Sequence, residues 1–173
     1  RLDGQDLSKI KDSALSAFRR DNLGFVFQDF NLLDTFTLED NIYLPLVLSG
    51  MPYHKMHDRL VPLAKRLGIE SLLKKYPYEV SGGQKQRAAA ARALITNPRL
   101  ILADEPTGNL DSRAADELLG LFRDMNRLGQ TIIMVTHNDA IKNMADRVFT
   151  LKDGVVRKNY VNENKIPAAE LEW

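Results

Sequence analysis

The sequence contains no cysteine. A disulfide framework and a thiolate metal centre are thereby excluded, and the compartment is left open, the cytosol among the choices. Charge of one sign is lacking too: 24 basic side chains against 23 acidic ones leave a net charge of +1. That is too little to mark a general binder of nucleic acid or of a membrane surface. No apolar run approaches the length needed to cross a bilayer, and stretches such as Leu100–Ala103 suit buried strands instead. The first residues, Arg1-Leu2-Asp3-Gly4, carry an acid too early for a signal peptide. There is no internal repeat and no low-complexity linker. An initiating methionine is also absent, and the chain reads as cut from a longer one.

What is present describes one globular domain spanning residues 1–173, with 44% hydrophobic and 27% charged residues. Leu23–Phe27 (LGFVF), Leu100–Ala103 (LILA) and Thr131–Val135 (TIIMV) are short apolar runs that read as buried strands. A helix is expected over Ser13–Arg20. Thr37 and Asp40 have capping-box spacing ahead of Ile42, Leu46 and Val47. The next helix places Met56, Leu60, Leu63 and Leu67 on one face and stops at Gly68, with Pro62 expected to kink or shorten it. An alanine-dense helix follows from Gln84 to about Ile95. Asp111 or Ser112 should cap a helix reaching Leu128, with Leu118, Phe122 and Met125 inward and Gly129 as its stop. A short helix near Ala140–Met144 precedes a hairpin, Val148–Lys152 and Val155 onward, turning at Asp153-Gly154. Strands alternating with helices imply an α/β fold with a mostly parallel sheet. Residues 31–80 carry no convincing strand and read as an inserted helical subdomain; residues 159–173 read as a C-terminal tail.

Each of the three apolar runs ends in polar residues: Gln28, then Asp104-Glu105, then Thr136-His137. Ligands of α/β sheets gather at the carboxyl ends of strands, so an amide, a carboxylate pair and an imidazole are expected at one edge. An Asp directly after a buried strand suits Mg²⁺, a hard cation that prefers carboxylate and water oxygens, and a following Glu can polarise water. A bare Asp-Glu pair is more often a loop cap; the strand before it and the Pro106-Thr107-Gly108 turn after it favour the functional reading. Val80 to Arg87 (VSGGQKQR) is the strongest signal. Two glycines let backbone amides approach an anion, Ser81 adds a hydroxyl, and the helix behind them presents its positive end. An ordinary glycine turn would account for Ser-Gly-Gly alone, but not for the longer run ahead of Ala91-Arg92-Ala93.

These residues together resemble the ATP-binding domain of ABC transporters. Ser81-Gly82-Gly83-Gln84 is similar to the signature motif, though Val80 stands where leucine is more usual. Leu100–Glu105 is similar to the Walker B strand with its catalytic glutamate. Gly108-Asn109-Leu110-Asp111 resembles the D-loop, Gln28 the Q-loop glutamine and His137 the switch histidine, all in the family's order, from about Arg1 to Lys158. Phe25–Asp40 and Ala103–Ser112 resemble the branch serving lipoprotein release, macrolide export and bacitracin-type peptide resistance.

The resemblance implies an ATPase powering a membrane permease, peripheral on the cytoplasmic face of the cell membrane and working as an exporter, antimicrobial peptides among its cargo. It implies a head-to-tail homodimer with ATP sandwiched between subunits. Glu105 would polarise water, Asp104 and Gln28 would hold Mg²⁺, and His137 would contact the γ-phosphate. Ser81, Gly82, Gly83 and Gln84 would meet ATP held by the other subunit, and Asp111 would signal across the interface. No G-x-x-x-x-G-K-[ST] occurs in the sequence, so residue 1 is expected to fall shortly after the Walker A helix and these residues alone to be inactive.

Other features stay with plainer readings. His54 and His57, three apart on a helix, suit an exposed polar face rather than a metal. Arg87 and Arg92 support the signature helix rather than nucleic acid. Phe30, Leu32, Leu33 and Phe36 either pack in the core or line a groove for a permease helix. Ile166–Trp173 is a docking tail or a surface-packed terminus. A chromosome or DNA-repair head is disfavoured by the 52 residues between Gln28 and Ser81 and the want of heptads. A purely docking module is disfavoured by Glu105 and His137.

Overall fold

A computed structural model describes residues 1–2, 4, 6–127, 129–167 and 170. Three strands, β1 (Leu23–Phe27), β2 (Leu100–Asp104) and β3 (Thr131–Val135), form a parallel sheet in the order β1-β2-β3. Their register is level: Phe27 pairs with Asp104 and Asp104 with Val135, so all three chains leave the sheet at one edge. The α/β architecture with a parallel sheet is therefore as the alternation of patterns implies.

The strands, read from the sequence simply as buried, are covered on one face. Val26, Ile101 and Ala103 are buried, whereas Phe25, Phe27, Ile133 and Val135 are exposed. Side chains alternate along a strand, and the helices lie on one face only. Those helices are α4 (Gly82–Leu94) and α5 (Ser112–Arg127), which pack Ala90, Ala93, Leu118, Leu119, Phe122 and Met125 against the sheet. Gly24 marks the closest approach: a Cβ there would lie 2.5 Å from the Ala93 carbonyl oxygen, so β1 runs under α4 with no room for a side chain.

Residues 31–80 hold α2 (Leu38–Leu48), α3 (Tyr53–Leu67) and two 3₁₀ turns, with no strand. Their apolar faces (Leu38, Ile42, Leu46, Leu60, Ala64) form a second core that closes on Ala88 and Ala91 of α4 and on Ile95 at its end. The alanine run thus serves two cores at once, because small side chains on every face let a helix pack closely on both sides. Thr37 and Asp40 form the expected capping box on α2. Gly68 ends α3 in the left-handed region, at φ 63°. Pro62 does not shorten α3; it sits on the exposed side, where water can serve the carbonyl it leaves without a partner. Pro45 also lies inside α2, but there it is half-buried.

The remaining elements are α1 (Asp12–Asn22), the expected short helix, a 3₁₀ turn at Ile141–Met144, and a separate hairpin. The hairpin joins β4 (Arg147–Lys152) to β5 (Val155–Val161) through Asp153 and Gly154, both at positive φ, as a tight two-residue turn requires. Helix α5 is described to Arg127, and Leu128 lies outside the described residues. In the C-terminal tail, Lys165 pairs with Asp146 and the Ile166 N–H donates to the Asn143 carbonyl; Leu171 and Trp173 lie outside the described residues. Among the described residues no helix is long and apolar enough to cross a membrane.

Candidate functional site

The level ends of the three strands deliver Gln28, Asp104-Glu105 and Thr136-His137 to the same edge. Glu105 turns the chain there with φ of 42°, an uncommon value for a residue with a side chain. Its N–H donates to the Val135 carbonyl and its own carbonyl accepts from Gly108, so the turn is held on both sides. One carboxylate oxygen, Oε2, accepts the Thr136 hydroxyl at 3.1 Å. The other, Oε1, accepts the His137 backbone N–H at 2.7 Å and lies 2.8 Å from His137 Nδ1. A proton on Nδ1 makes that contact a hydrogen bond and leaves Nε2 to face outward. The ring is well placed for this, since the His137 side chain is 83% exposed against 20% for Glu105. A cavity of about 200 Å³ opens beside the pair, lined also by Thr107, Gly108 and Ser112.

Asp104 is exposed and takes no side-chain hydrogen bond among the described residues. Gln28 turns toward the loop after β2 and lies close over Gly108: a Cβ there would stand 2.9 Å from Gln28 Nε2, so a side chain at this position would push the amide aside. Among the described residues no three His, Asp or Glu side chains cluster as a metal cage. One free carboxylate with an amide nearby is nevertheless the donor set that fits Mg²⁺, which keeps several waters and takes its remaining ligands from substrate phosphates.

The signature segment stands apart from this edge. Ser81 caps α4, its Oγ accepting from the Gln84 N–H at 3.3 Å while Gln84 Oε1 accepts from the Ser81 N–H at 3.0 Å. The helix therefore starts at Gly82, two residues before the expected Gln84, and both glycines lie in its first turn. Their N–H groups lack partners within the helix and favour an anion. Ser81, Gly82 and Gly83 line a second cavity of about 380 Å³ with Asn109, Asp111 and Arg113. The two cavities share only Leu110. Asp111 Oδ1 accepts the Ala114 N–H at 2.8 Å, so of the two candidate caps of α5 it is Asp111 that acts.

Three side chains make contacts that escaped the sequence reading. Asn109 donates from Nδ2 to the Gln28 carbonyl (3.3 Å) and to Asp29 Oδ1 (3.1 Å), tying the two loops together. Gln86, fully buried on α4, donates to the Pro106 carbonyl at 2.8 Å, directly after Glu105. Arg92 reaches from α4 to the carbonyls of Phe30 and Asn31. Arg87 pairs with Glu117 of α5 at 2.7 Å. Both arginines thus support loops and helices within the fold. Of the apolar residues after Gln28, Leu32 packs on the helical core while Leu33 and Phe36 stay open. His54 and His57 are exposed on α3, with His57 Nδ1 3.4 Å from the Tyr43 hydroxyl.

The sequence model of the ABC transporter family matches residues 1–108. The chain belongs to that family. It is 45% identical over 157 residues to the bacitracin export ATP-binding protein BceA of Halalkalibacterium halodurans, covering 90% of this chain and 62% of that one. It is 44% identical over 154 residues to the lipoprotein-releasing system ATP-binding protein LolD of Bacteroides fragilis, covering 88% and 71%. Among solved structures it is similar, at a TM-score of 0.82 and 36% identity, to the ATP-binding cassette MJ0796 in a dimeric post-hydrolysis state bound to ADP and Pi. That likeness covers 93% of this chain and 72% of the other. The chain thus spans less than two thirds of the length of BceA.

Proposed function

We propose that this ABC family member is part of an ATP-binding and ATP-hydrolysing subunit that powers a membrane exporter of peptides, lipoproteins or drugs. The observation that carries the reading is the division of the candidate site. Glu105 and His137 meet at the sheet edge, whereas Ser81, Gly82 and Gly83 line a different cavity. A site complete within one chain would bring these groups together; a site shared between two head-to-tail copies has each copy present the two sets to different nucleotides. The dimeric state of MJ0796 is in keeping with this arrangement.

In that site Glu105 polarises the attacking water, its carboxylate oriented by Thr136 and by the His137 N–H. His137, through its outward Nε2, contacts the γ-phosphate. Asp104 and Gln28 hold Mg²⁺, which when bound neutralises phosphate charge. The first-turn amides of α4, with the Ser81 hydroxyl and Gln84 as its partner, receive the γ-phosphate of ATP carried by the opposite copy. Asp111, at the start of α5 in the same cavity, carries the signal across the interface. Catalysis is then positioning and charge stabilisation, with no covalent intermediate. The cradle for the β- and γ-phosphates is not among these residues, which hold no G-x-x-x-x-G-K-[ST], and we assign it to the longer protein. The subunit docks on a permease at the cytoplasmic face of the membrane. Binding of nucleic acid forms no part of this reading.

Glu105→Gln in the full-length protein tests it. The amide keeps the shape of the side chain and removes the charge that polarises water. ATP binding should persist, turnover should fall by roughly two to four orders of magnitude, and an ATP-bound dimer should accumulate on size exclusion. Turnover near the wild-type rate would refute the role given to Glu105.

A further inference from the structure

Between Gln28 and Asn41 the chain makes a tight excursion whose two ends are each held by an asparagine. Asn109 holds the Gln28 carbonyl and Asp29. Asn41, fully buried, accepts the Leu33 N–H at 2.7 Å and donates to the carbonyls of Leu33 and Phe36. The middle is the strained part: Phe30 and Asn31 are consecutive residues in the left-handed region, at φ 61° and 48°. Such a pair persists only where its surroundings impose it. The local bonds are the Phe30 N–H to Phe27 and the Asn31 N–H to Asp29. Across the fold, a single side chain takes both carbonyls: Arg92, with Nη2 on Phe30 at 2.8 Å and Nη1 on Asn31.

The Arg92 guanidinium is substantially buried, and loss of water pushes its pKa below the ordinary arginine value. It forms no ion pair among the described residues, so two peptide carbonyls are what answer its charge. Hydrogen bonds from an ionised donor are the stronger kind, and only the guanidinium fork presents two such donors at fixed spacing. At the other end of α4 the Phe30 ring lies against Gly82, 3.8 Å from the position of a Cβ there. One helix therefore grips the loop at its first and third turns.

We infer that Arg92 is a positioning residue: it locks the Gln28 loop to α4, so that Gln28 and the Ser81–Gly83 end of α4 move as one piece. This rests on the proposed function for the importance of Gln28, but the lock itself does not. Any displacement of α4, by a partner or by an opposing nucleotide, is then transmitted to the amide beside Asp104 without passing through the sheet.

The test uses the full-length protein with Arg92→Lys, which keeps the charge and loses the fork, and Arg92→Met, which keeps only the length. Hydrogen exchange at the Phe30, Asn31 and Leu33 amides should accelerate roughly tenfold in both variants, while Ala88–Ala91 in the middle of α4 stay protected. Unchanged exchange in the loop, or equal acceleration in loop and helix, overturns the inference, the second result marking a general loss of stability. A double-mutant cycle in MgATP turnover supplies the second readout. If Arg92 works through Gln28, Arg92→Lys should add no further loss to Gln28→Ala; losses that multiply overturn it. Should Gln28→Ala leave turnover unaltered, the role assigned to Gln28 fails, and the exchange experiment alone decides the lock.

Discussion

Whether the signature glycines act on their own subunit's nucleotide or on a partner's can be decided at Gly82. Added atoms at Gly83 would meet the Ala114 Cβ at 3.1 Å, so any variant there also disturbs the packing of α4 on α5. Gly82 is the cleaner position, since an added Cβ would meet only the Phe30 ring at 3.8 Å and the Asn109 carbonyl oxygen at 3.9 Å, both ordinary contacts. Gly82→Asp also suits its place in the fold, because an acid in the first turn of a helix is worth about 0.3–1 kcal/mol to stability. Folding should therefore survive. The added carboxylate stands where the proposal puts an incoming phosphate, and two like charges 4 Å apart near a surface repel by about 4 kcal/mol. That corresponds to roughly a thousandfold loss in ATP-driven dimerisation, with Gly82→Ala as the uncharged control. In the full-length protein, calorimetry measures ATP binding to the monomer, and sedimentation in a Glu105→Gln background measures the dimer. Monomer affinity should change little while dimerisation is lost. If Gly82→Asp weakens monomer binding as much as dimerisation, the segment acts within its own subunit and the shared site is wrong.

Three other outcomes are expected. The 173-residue chain by itself should give no micromolar calorimetric signal with MgATP, because the phosphate cradle is absent from its sequence; tight binding would show that the cradle is dispensable. Gly24→Ala should lower stability by about 1–3 kcal/mol, since its Cβ would intrude on the Ala93 carbonyl, a backbone atom that cannot swing away. Gly120→Ala, within α5 and with nothing within 4 Å, should instead raise stability by about 0.5–1 kcal/mol. Chemical denaturation that ranks the two variants in the opposite order refutes the packing argument.

The fold was most legible where its cause is local. Thr37 and Asp40 predict a capping box because both partners sit within four residues, and Asp153-Gly154 predicts a tight turn because positive φ at two successive residues needs such side chains. Pro62 leaves α3 its full length because a proline's cost depends on its surroundings, and here it is exposed to solvent. The strands were recognised as strands and as buried, but only one face of them is covered. An apolar run such as TIIMV carries no sign of which neighbour covers it, and Ile133 and Val135 are open.

The candidate site divides along the same line. Gln28, Asp104, Glu105, His137 and the Ser81–Gln84 run were found because chemistry-bearing side chains follow recognisable strands or open a recognisable helix. What could not be read is how these pieces are held. Arg92 reaches the carbonyls of Phe30 and Asn31 across more than 60 positions, and Gln86 reaches that of Pro106 across 20. Their partners are peptide oxygens, which every residue possesses, so no pairing of side-chain types announces them. The left-handed turns at Phe30, Asn31 and Glu105 are equally silent, because none falls on a glycine. All three lie in loops tethered to α4 through a buried or half-buried polar side chain. The helix that presents Ser81 to one cavity therefore also fixes Gln28 and the chain after Glu105 beside the other.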